Sequence, residues 1–133
     1  MDEEMTPSTA YELDHRTCLS LLATQRVGRL VFDDEPPAVL LVRFGVTGER
    51  LVLTGGEEHL VDRRDRPVLM EVDGVDEHQR AGWSVIVRGR LEVVAELESD
   101  REEQTTCIAI VDMTGRWVRS ARRMPPLDQR GYL

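Results

Sequence analysis

A long run of alternating residues, from Trp83 to Leu97, constrains the fold of this chain more than any other feature. Every odd position in the run is apolar or glycine, and the even positions are mostly polar. A period of two predicts one β-strand with one face on a core and the other toward solvent or a ligand. At about 3.3 Å per residue the strand would extend roughly 50 Å, which is longer than a small domain. We therefore expect it to bend, with Gly89 as the corner. Long bent strands are typical of closed or half-closed barrels.

Weaker patterns predict the other elements. Asp14 is placed to cap a helix over residues 15–24, and a second short helix is expected over about 57–64. Shorter strands are predicted at 27–33, 38–44, 50–54, 68–73 and 105–112, with 117–118 continuing beyond a break at Gly115. Turns or loops are predicted at 33–37, 45–48 and 74–82, and a helical turn at 99–104. Because strands and helices do not alternate, the pattern indicates an antiparallel barrel rather than a parallel nucleotide-binding sheet.

The chain of 133 residues fits one domain. We expect a loose arm at 1–12, the barrel domain at 13–119 and an extended tail at 120–133. No apolar run approaches the ~20 residues that cross a bilayer, and the acidic start has the wrong sign for a signal peptide, so no membrane association is expected. Cys18 and Cys107 lie far apart without a CxxC spacing, which favours a reduced, cytoplasmic setting.

The charge of the chain argues against nucleic-acid binding. The net charge is −8, and all seventeen basic residues are arginine. Four arginines cluster between positions 116 and 123, and a basic segment on an acidic body favours contacts between subunits over contacts with DNA. His15, His59 and His78 are scattered without metal-ligand spacing, so no metal site is expected.

Several short motifs in and around the long strand resemble a known family. The quoted pieces are, in chain order, Leu19-Ser20-Leu21-Leu22, Val27-Gly28-Arg29-Leu30-Val31-Phe32, Glu71-Val72-Asp73, Gly82-Trp83-Ser84-Val85, Val87-Arg88-Gly89 and Thr114-Gly115-Arg116. In this order and spacing they resemble the flavin-binding split barrels related to pyridoxamine 5'-phosphate oxidase, in particular short actinobacterial flavoproteins and the nitroimidazole-reductase-like group. The resemblance implies a mainly β protein, a six-stranded antiparallel split β-barrel with short flanking helices. It also implies a homodimer that binds FMN at the subunit interface.

The segment from Thr54 to Leu60 is the first candidate cofactor site. The glycine pair Gly55 and Gly56 before a helix can present backbone N–H groups to a phosphate. In the family, the matching segment commonly reads Thr, small residues and then Ser-Lys-Leu, and it holds the flavin phosphate. Thr54 and Leu60 match, whereas Glu58 and His59 stand where serine and lysine are expected. A protonated His59 can donate to a phosphate, but the adjacent glutamates repel one, so a tight turn into a capped helix is an equal alternative.

The strand that contains Val42, Arg43 and Phe44 is the second candidate. Alternation places Arg43 on the face opposite Val42 and Phe44. An arginine can bind a ligand phosphate through two parallel hydrogen bonds, and a solvent-facing or ion-paired arginine is the alternative. The resemblance implies that the backbone of this strand lies against the flavin ring.

Trp83, Ser84 and Trp117 complete the candidate residues. Either tryptophan can stack on a planar cofactor, although lone aromatic residues are more often found in a core or an interface. Ser84 has no paired histidine in its local sequence, so it is not predicted to be a nucleophile. Glu71 and Asp73 share one strand face, either as an acid pair or as surface carboxylates. The catalytic residues therefore remain unknown from the sequence.

The function expected from the resemblance is that of an FMN-binding oxidoreductase. It would reduce a small electrophilic or aromatic substrate with a nicotinamide donor, and the flavin itself would carry the hydride chemistry. One alternative is a split barrel without bound flavin that acts as a binding or regulatory module. Another keeps the barrel and binds deazaflavin or haem.

Overall fold

The computed structural model describes residues 9–54, 60–96 and 103–119. In these ranges the chain forms seven strands, one α-helix and one short 3-10 helix, Val61–Arg63. The elements are β1 (Thr9–Leu13), α1 (His15–Leu22), β2 (Val27–Phe32), β3 (Ala38–Thr47), β4 (Arg50–Thr54), β5 (Pro67–Asp76), β6 (Ala81–Glu96) and β7 (Glu103–Arg119). None of the described helices is long and apolar enough to span a bilayer.

Six of the strands close into an antiparallel barrel. The order is β7, β4, β3, β2, β5 and β6, and β6 pairs back onto β7. The remaining strand, β1, adds to the free edge of β7 near its end. The predicted mainly β fold, a six-stranded antiparallel barrel, is confirmed.

The 17-residue strand β7 is shared between three neighbours. Its first half pairs with β4 at residues 106–109, and its last five residues pair with β1. Its other edge pairs with β6 along nearly the whole length of both strands. The predicted long strand is confirmed in β6, which begins two residues before Trp83 and ends one residue before Leu97.

The long β6–β7 ladder bends at a β-bulge beside Gly89. Arg88 lies opposite Asp112 and Gly89 lies opposite Ile110, so β7 carries one extra residue, Val111, at this point. A Cβ at position 89 would collide with the main-chain carbonyl oxygen of Ala109. Only glycine allows this close approach, and the predicted corner at Gly89 is confirmed.

The interior of the barrel is filled by alternate residues of the strands. From β6, these are Trp83, Val85, Val87 and Leu91, and they join a cluster that includes Leu30, Leu51, Met70 and Ile108. Helix α1 contributes Cys18 and Leu22, both fully buried, and packs on β6 and β7. The helix begins as predicted, because Asp14 accepts a hydrogen bond from the Thr17 N–H at 2.7 Å. Hydrogen bonds from the side chain and the backbone of Thr17 lower the pKa of the Asp14 carboxyl.

Several predicted boundaries are wrong because glycines were read as strand breaks. Strand β3 continues through Gly45 to Thr47, and the turn is confined to Gly48, at φ +59°, and Glu49. Strand β5 continues through Gly74 to Asp76, where a connecting loop was expected. Strand β7 runs unbroken through Gly115.

The reason is packing in two of these three cases. A Cβ at Gly74 would lie 2.6 Å from the indole nitrogen of Trp83, and a Cβ at Gly115 would lie 2.5 Å from the Cys18 sulfur. These glycines therefore make room for neighbouring side chains within continuous strands.

Two predicted segments differ for other reasons. Residues 9–12, expected in a loose arm, form most of β1, because β7 offers them a free edge. The last two residues of the helical turn expected at 99–104 belong to a strand instead, because β7 begins at Glu103. Of the helix expected over 57–64, Leu60 is helical and Val61–Arg63 form the 3-10 helix. Residues 55–59 lie outside the described ranges, as do 1–8, 97–102 and the predicted tail at 120–133.

The bulge gives the first prediction. Replacing Gly89 with alanine should lower the free energy of unfolding by about 1–3 kcal/mol, because the added methyl group meets backbone that cannot move aside. Urea denaturation measures this loss. The matched control is Gly45→Ala, also within a strand, where nothing lies within 4 Å of the new methyl group. An equal loss at both positions would contradict the bulge packing.

Candidate functional site

An open cleft of about 470 Å³ lies against the outer face of β3 and β4. Its floor comes from residues 43–46 of β3 together with Val52 and Thr54 of β4. Its wall comes from the connection between α1 and β2, through Ala23, Gln25 and Arg26. Sites for small molecules commonly enclose about 300–1,000 Å³, so the cleft has the size of a ligand site.

Strand alternation determines which side chains reach the cleft. Along β3, Val42 and Phe44 are buried, whereas Arg43 and Gly45 are exposed on the outer face. Arg43 lies directly opposite Thr54, and paired residues of adjacent strands share one face of the sheet. The sequence prediction that Arg43 points away from Val42 and Phe44 is confirmed.

A backbone hydrogen bond fixes the wall to the floor. The Phe44 N–H donates to the carbonyl oxygen of Arg26 at 2.9 Å. Arg26 is therefore held next to β3 immediately before β2 begins, and both Arg26 and Arg43 line the cleft.

The polar groups of the cleft are mainly hydrogen-bond donors. They are two guanidinium groups, the Thr54 hydroxyl and the Gln25 side-chain amide, and no carboxylate is found among the described lining residues. Neither Arg26 nor Arg43 forms an ion pair with any described residue, whereas Arg29, on the same outer surface, binds Glu71 at 2.9 Å and Asp73 at 3.1 Å. In a chain of net charge −8, the cleft is thus locally positive.

These residues fit an anionic cofactor with a planar part. Nothing lies within 4 Å of the point where a Cβ of Gly45 would stand, so the floor is open there. Guanidinium groups suit phosphate oxygens because they present paired donors in a plane. The chemistry of the cleft therefore matches the flavin phosphate that the sequence resemblance implies.

The structure brings three of the predicted cofactor residues together: Arg43, Phe44 and Thr54 all line the cleft. Val42 lies in the barrel core and is 3% exposed. Gly55, Gly56 and His59 fall outside the described ranges. Their roles in cofactor binding stay predictions.

The segment that follows residues 55–59 is firmly anchored. Leu60 is fully buried in the core. Arg63 forms an ion pair with Asp34, and its guanidinium carbon lies 4.0 Å from the centroid of the Phe32 ring. Thr54 at the cleft and Leu60 in the core are thus the described residues on either side of the predicted phosphate-binding segment.

The other predicted residues lie away from the cleft. Trp83 is 8% exposed inside the barrel, opposite Gly74 on one side and Trp117 on the other. Trp117 is partly buried and also lies opposite Tyr11 of β1. Ser84 is on the outer face, between Asp73 and Arg116. The tryptophans form a cross-strand aromatic row, and their stacking on a cofactor stays a prediction.

The pair Glu71 and Asp73 lies on the outer face of β5, held by Arg29 as described above. Burial and a hydrogen bond with Asp73 raise the pKa of the Glu71 carboxyl, against the opposing effect of Arg29. The histidine His15 is bound by both carboxylate oxygens of Glu49 at 3.0 Å. Among the described residues, no group of three or more His, Cys, Asp or Glu side chains could hold a metal ion.

Sequence reasoning missed Arg26, Gln25 and Gly45. Arg26 and Gln25 stand in a connection with no periodic pattern, and Gly45 was read as part of a turn. The one available clue was the absence of lysine, which leaves arginine as the only side chain with a permanent positive charge for a phosphate.

Comparison with known proteins identifies the family of the chain. A family model for pyridoxamine 5'-phosphate oxidase matches residues 14–129, which is most of the chain. The chain belongs to this family. The family predicted from the sequence is confirmed. No curated protein matches the chain.

Solved structures share the fold. The FAD-binding protein from Mycobacterium smegmatis is 26% identical, with a TM-score of 0.68 over 84% of this chain and 100% of that one. A FAD-binding protein from Mesorhizobium loti is 20% identical, with a TM-score of 0.70 over 86% of this chain and 100% of that one. A FAD- and haem-binding protein from M. smegmatis is 16% identical, with a TM-score of 0.64 over 91% of this chain and 78% of that one. At their lower identities, the last two show likeness of fold alone.

Proposed function

We propose that this member of the family is a flavin-dependent oxidoreductase that binds FMN in the cleft on β3 and β4. The observation that carries the proposal is the lining of the cleft, which combines an open floor at Gly45 with the donors of Arg43, Arg26 and Thr54. Family membership and the relative from M. smegmatis that binds FAD support the choice of a flavin.

The protein's part in such a reaction is to bind and orient. The chemistry supplied by a bound flavin is two-electron transfer, in which hydride from a reduced nicotinamide donor is passed on to a small electrophilic or aromatic substrate. The open backbone at Gly45 gives a planar ring a place to lie against β3. The Thr54 hydroxyl, which also lines the cleft, would donate to the phosphate.

Of the alternative ligands, FMN is favoured over haem. No described histidine lines the cleft: His15 is bound to Glu49, and His78 lies in the turn between β5 and β6. The phosphate of FMN matches the donor groups of the cleft, and FAD and phosphorylated deazaflavins share that group. The FMN titration described below distinguishes the proposed flavoprotein from a module that binds no flavin.

A homodimer is part of the proposal, because the outer face of β2 and β3 exposes three apolar side chains beside the cleft, next to the ion-paired Arg29. Val27, Val39 and Leu41 are 44%, 63% and 67% exposed. Val27 lies directly opposite Arg43, so this apolar face continues into the cleft. Exposed apolar side chains that cluster in this way are typical of an interaction site, and a second copy of the chain would cover them and complete the wall of the cleft.

The second prediction tests the cleft by filling its floor. Gly45→Leu should weaken FMN binding at least about tenfold, since the leucine side chain occupies the space proposed for the ring. The readout is a titration followed by the visible absorption bands of FMN. Thr47→Leu, exposed on the same face of β3 but outside the cleft lining, should bind FMN as the wild type does.

Wild-type protein without any shift of the FMN bands, and without thermal protection at excess FMN, would contradict the proposed function. A ligand that binds the native state must stabilise it. That result would favour the module that binds no flavin.

The third prediction concerns the dimer. Leu41→Glu should produce a monomer in sedimentation equilibrium, because it places a charge in the apolar face of each copy. The control is Val75→Glu, at a position that is 78% exposed on β5. A wild-type monomer, or an unchanged dimer in Leu41→Glu, would contradict this part of the proposal.

A further inference from the structure

We infer that Arg26 and Arg43 together hold the phosphate of the flavin and balance its negative charge. The inference rests on the proposed function and deepens it, because it assigns the phosphate to Arg43 in the floor of the cleft and Arg26 in its wall.

Backbone geometry brings the two arginines together. Arg43 projects outward from β3 opposite Thr54. Arg26 is tied to the adjacent residue of β3 through the bond between its carbonyl oxygen and the Phe44 N–H. Both side chains line one cleft of about 470 Å³, so an anion between the walls lies within reach of both.

The charges in the cleft are left uncompensated by the fold. Four other arginines, Arg29, Arg50, Arg63 and Arg88, are bound to carboxylates. Arg26 and Arg43 have no such partner among the described residues, and no described carboxylate lines the cleft. A phosphate monoester carries about −1.5 to −2 charge at pH 7, which two guanidinium groups balance.

The sequence gives a reason for this arrangement. The chain contains no lysine, and its segment from Gly55 to Leu60 includes two glutamates. A phosphate bound in the cleft therefore has arginine as its source of permanent positive charge. Arg43 lies on β3, and a backbone hydrogen bond holds Arg26 beside that strand, so both backbones are fixed at the cleft. Each guanidinium group can donate two parallel hydrogen bonds.

The test compares FMN with riboflavin, which has the same ring but no phosphate. Wild-type protein should bind FMN more tightly than riboflavin. Arg43→Gln and Arg26→Gln should each weaken FMN binding by about tenfold, while riboflavin affinity changes less than about twofold. The double variant should bind both flavins equally. Flavin fluorescence titrations give all the affinities, and rising salt should weaken only the binding of FMN.

Arg50→Gln is the matched control. It removes the same charge from β4, but Arg50 is paired with Glu92 and lies outside the cleft lining. It should leave both affinities unchanged. Because Arg26 and Arg43 are exposed, all variants should keep the wild-type circular dichroism spectrum.

The outcomes separate the two proposals. If riboflavin and FMN bind equally to the wild type, or if the arginine variants lose affinity for both flavins alike, the phosphate assignment is overturned and the flavin proposal stands. If neither flavin binds the wild type, the proposed function itself fails. FAD is a further ligand for the same test. If either of its phosphates occupies the same position, both variants should bind FAD more weakly than the wild type does, as they should FMN.

Discussion

The pairing of β6 with β7 is the interaction on which the rest of the structure depends. This ladder closes the barrel, and β7 uses its second edge first for β4 and then for β1. Strand β4 pairs with β7 on one side and with β3 on the other. The ladder therefore also fixes the register in which Thr54 lies opposite Arg43. The glycine at the bulge, Gly89, lets the two long strands bend without losing this register.

The cleft lies on the outside of the closed barrel, and its polar lining groups are mainly hydrogen-bond donors. Outward positions of β3 and β4 would normally be solvated, but the connection between α1 and β2 stands beside them and forms a wall. In an acidic protein, the cleft contains two guanidinium groups that have no ion-pair partner among the described residues. Elsewhere on the same outer surface, Arg29 is neutralised by two carboxylates. This contrast supports the proposal that the cleft binds an anion.

The alternation of residues was enough to predict the barrel, because it extends over a strand too long for a flat sheet. It also placed Arg43 on the outer face. The extra strand β1 and the continuity of β7 were not predictable, since both depend on partners far away in the sequence. Gly74 and Gly115 were misread for the same reason: their neighbours Trp83 and Cys18 come from other elements. Arg26 enters the cleft only through a hydrogen bond between separate segments, for which no local pattern exists.

A crystal structure of the protein with FMN tests the central claim most directly. The account predicts that the ring lies over Gly45 on the outer face of β3. It also predicts phosphate oxygens about 2.7–3.2 Å from the guanidinium nitrogens of Arg26 and Arg43. A flavin bound away from β3 and β4, or a phosphate beyond the reach of both arginines, would contradict it.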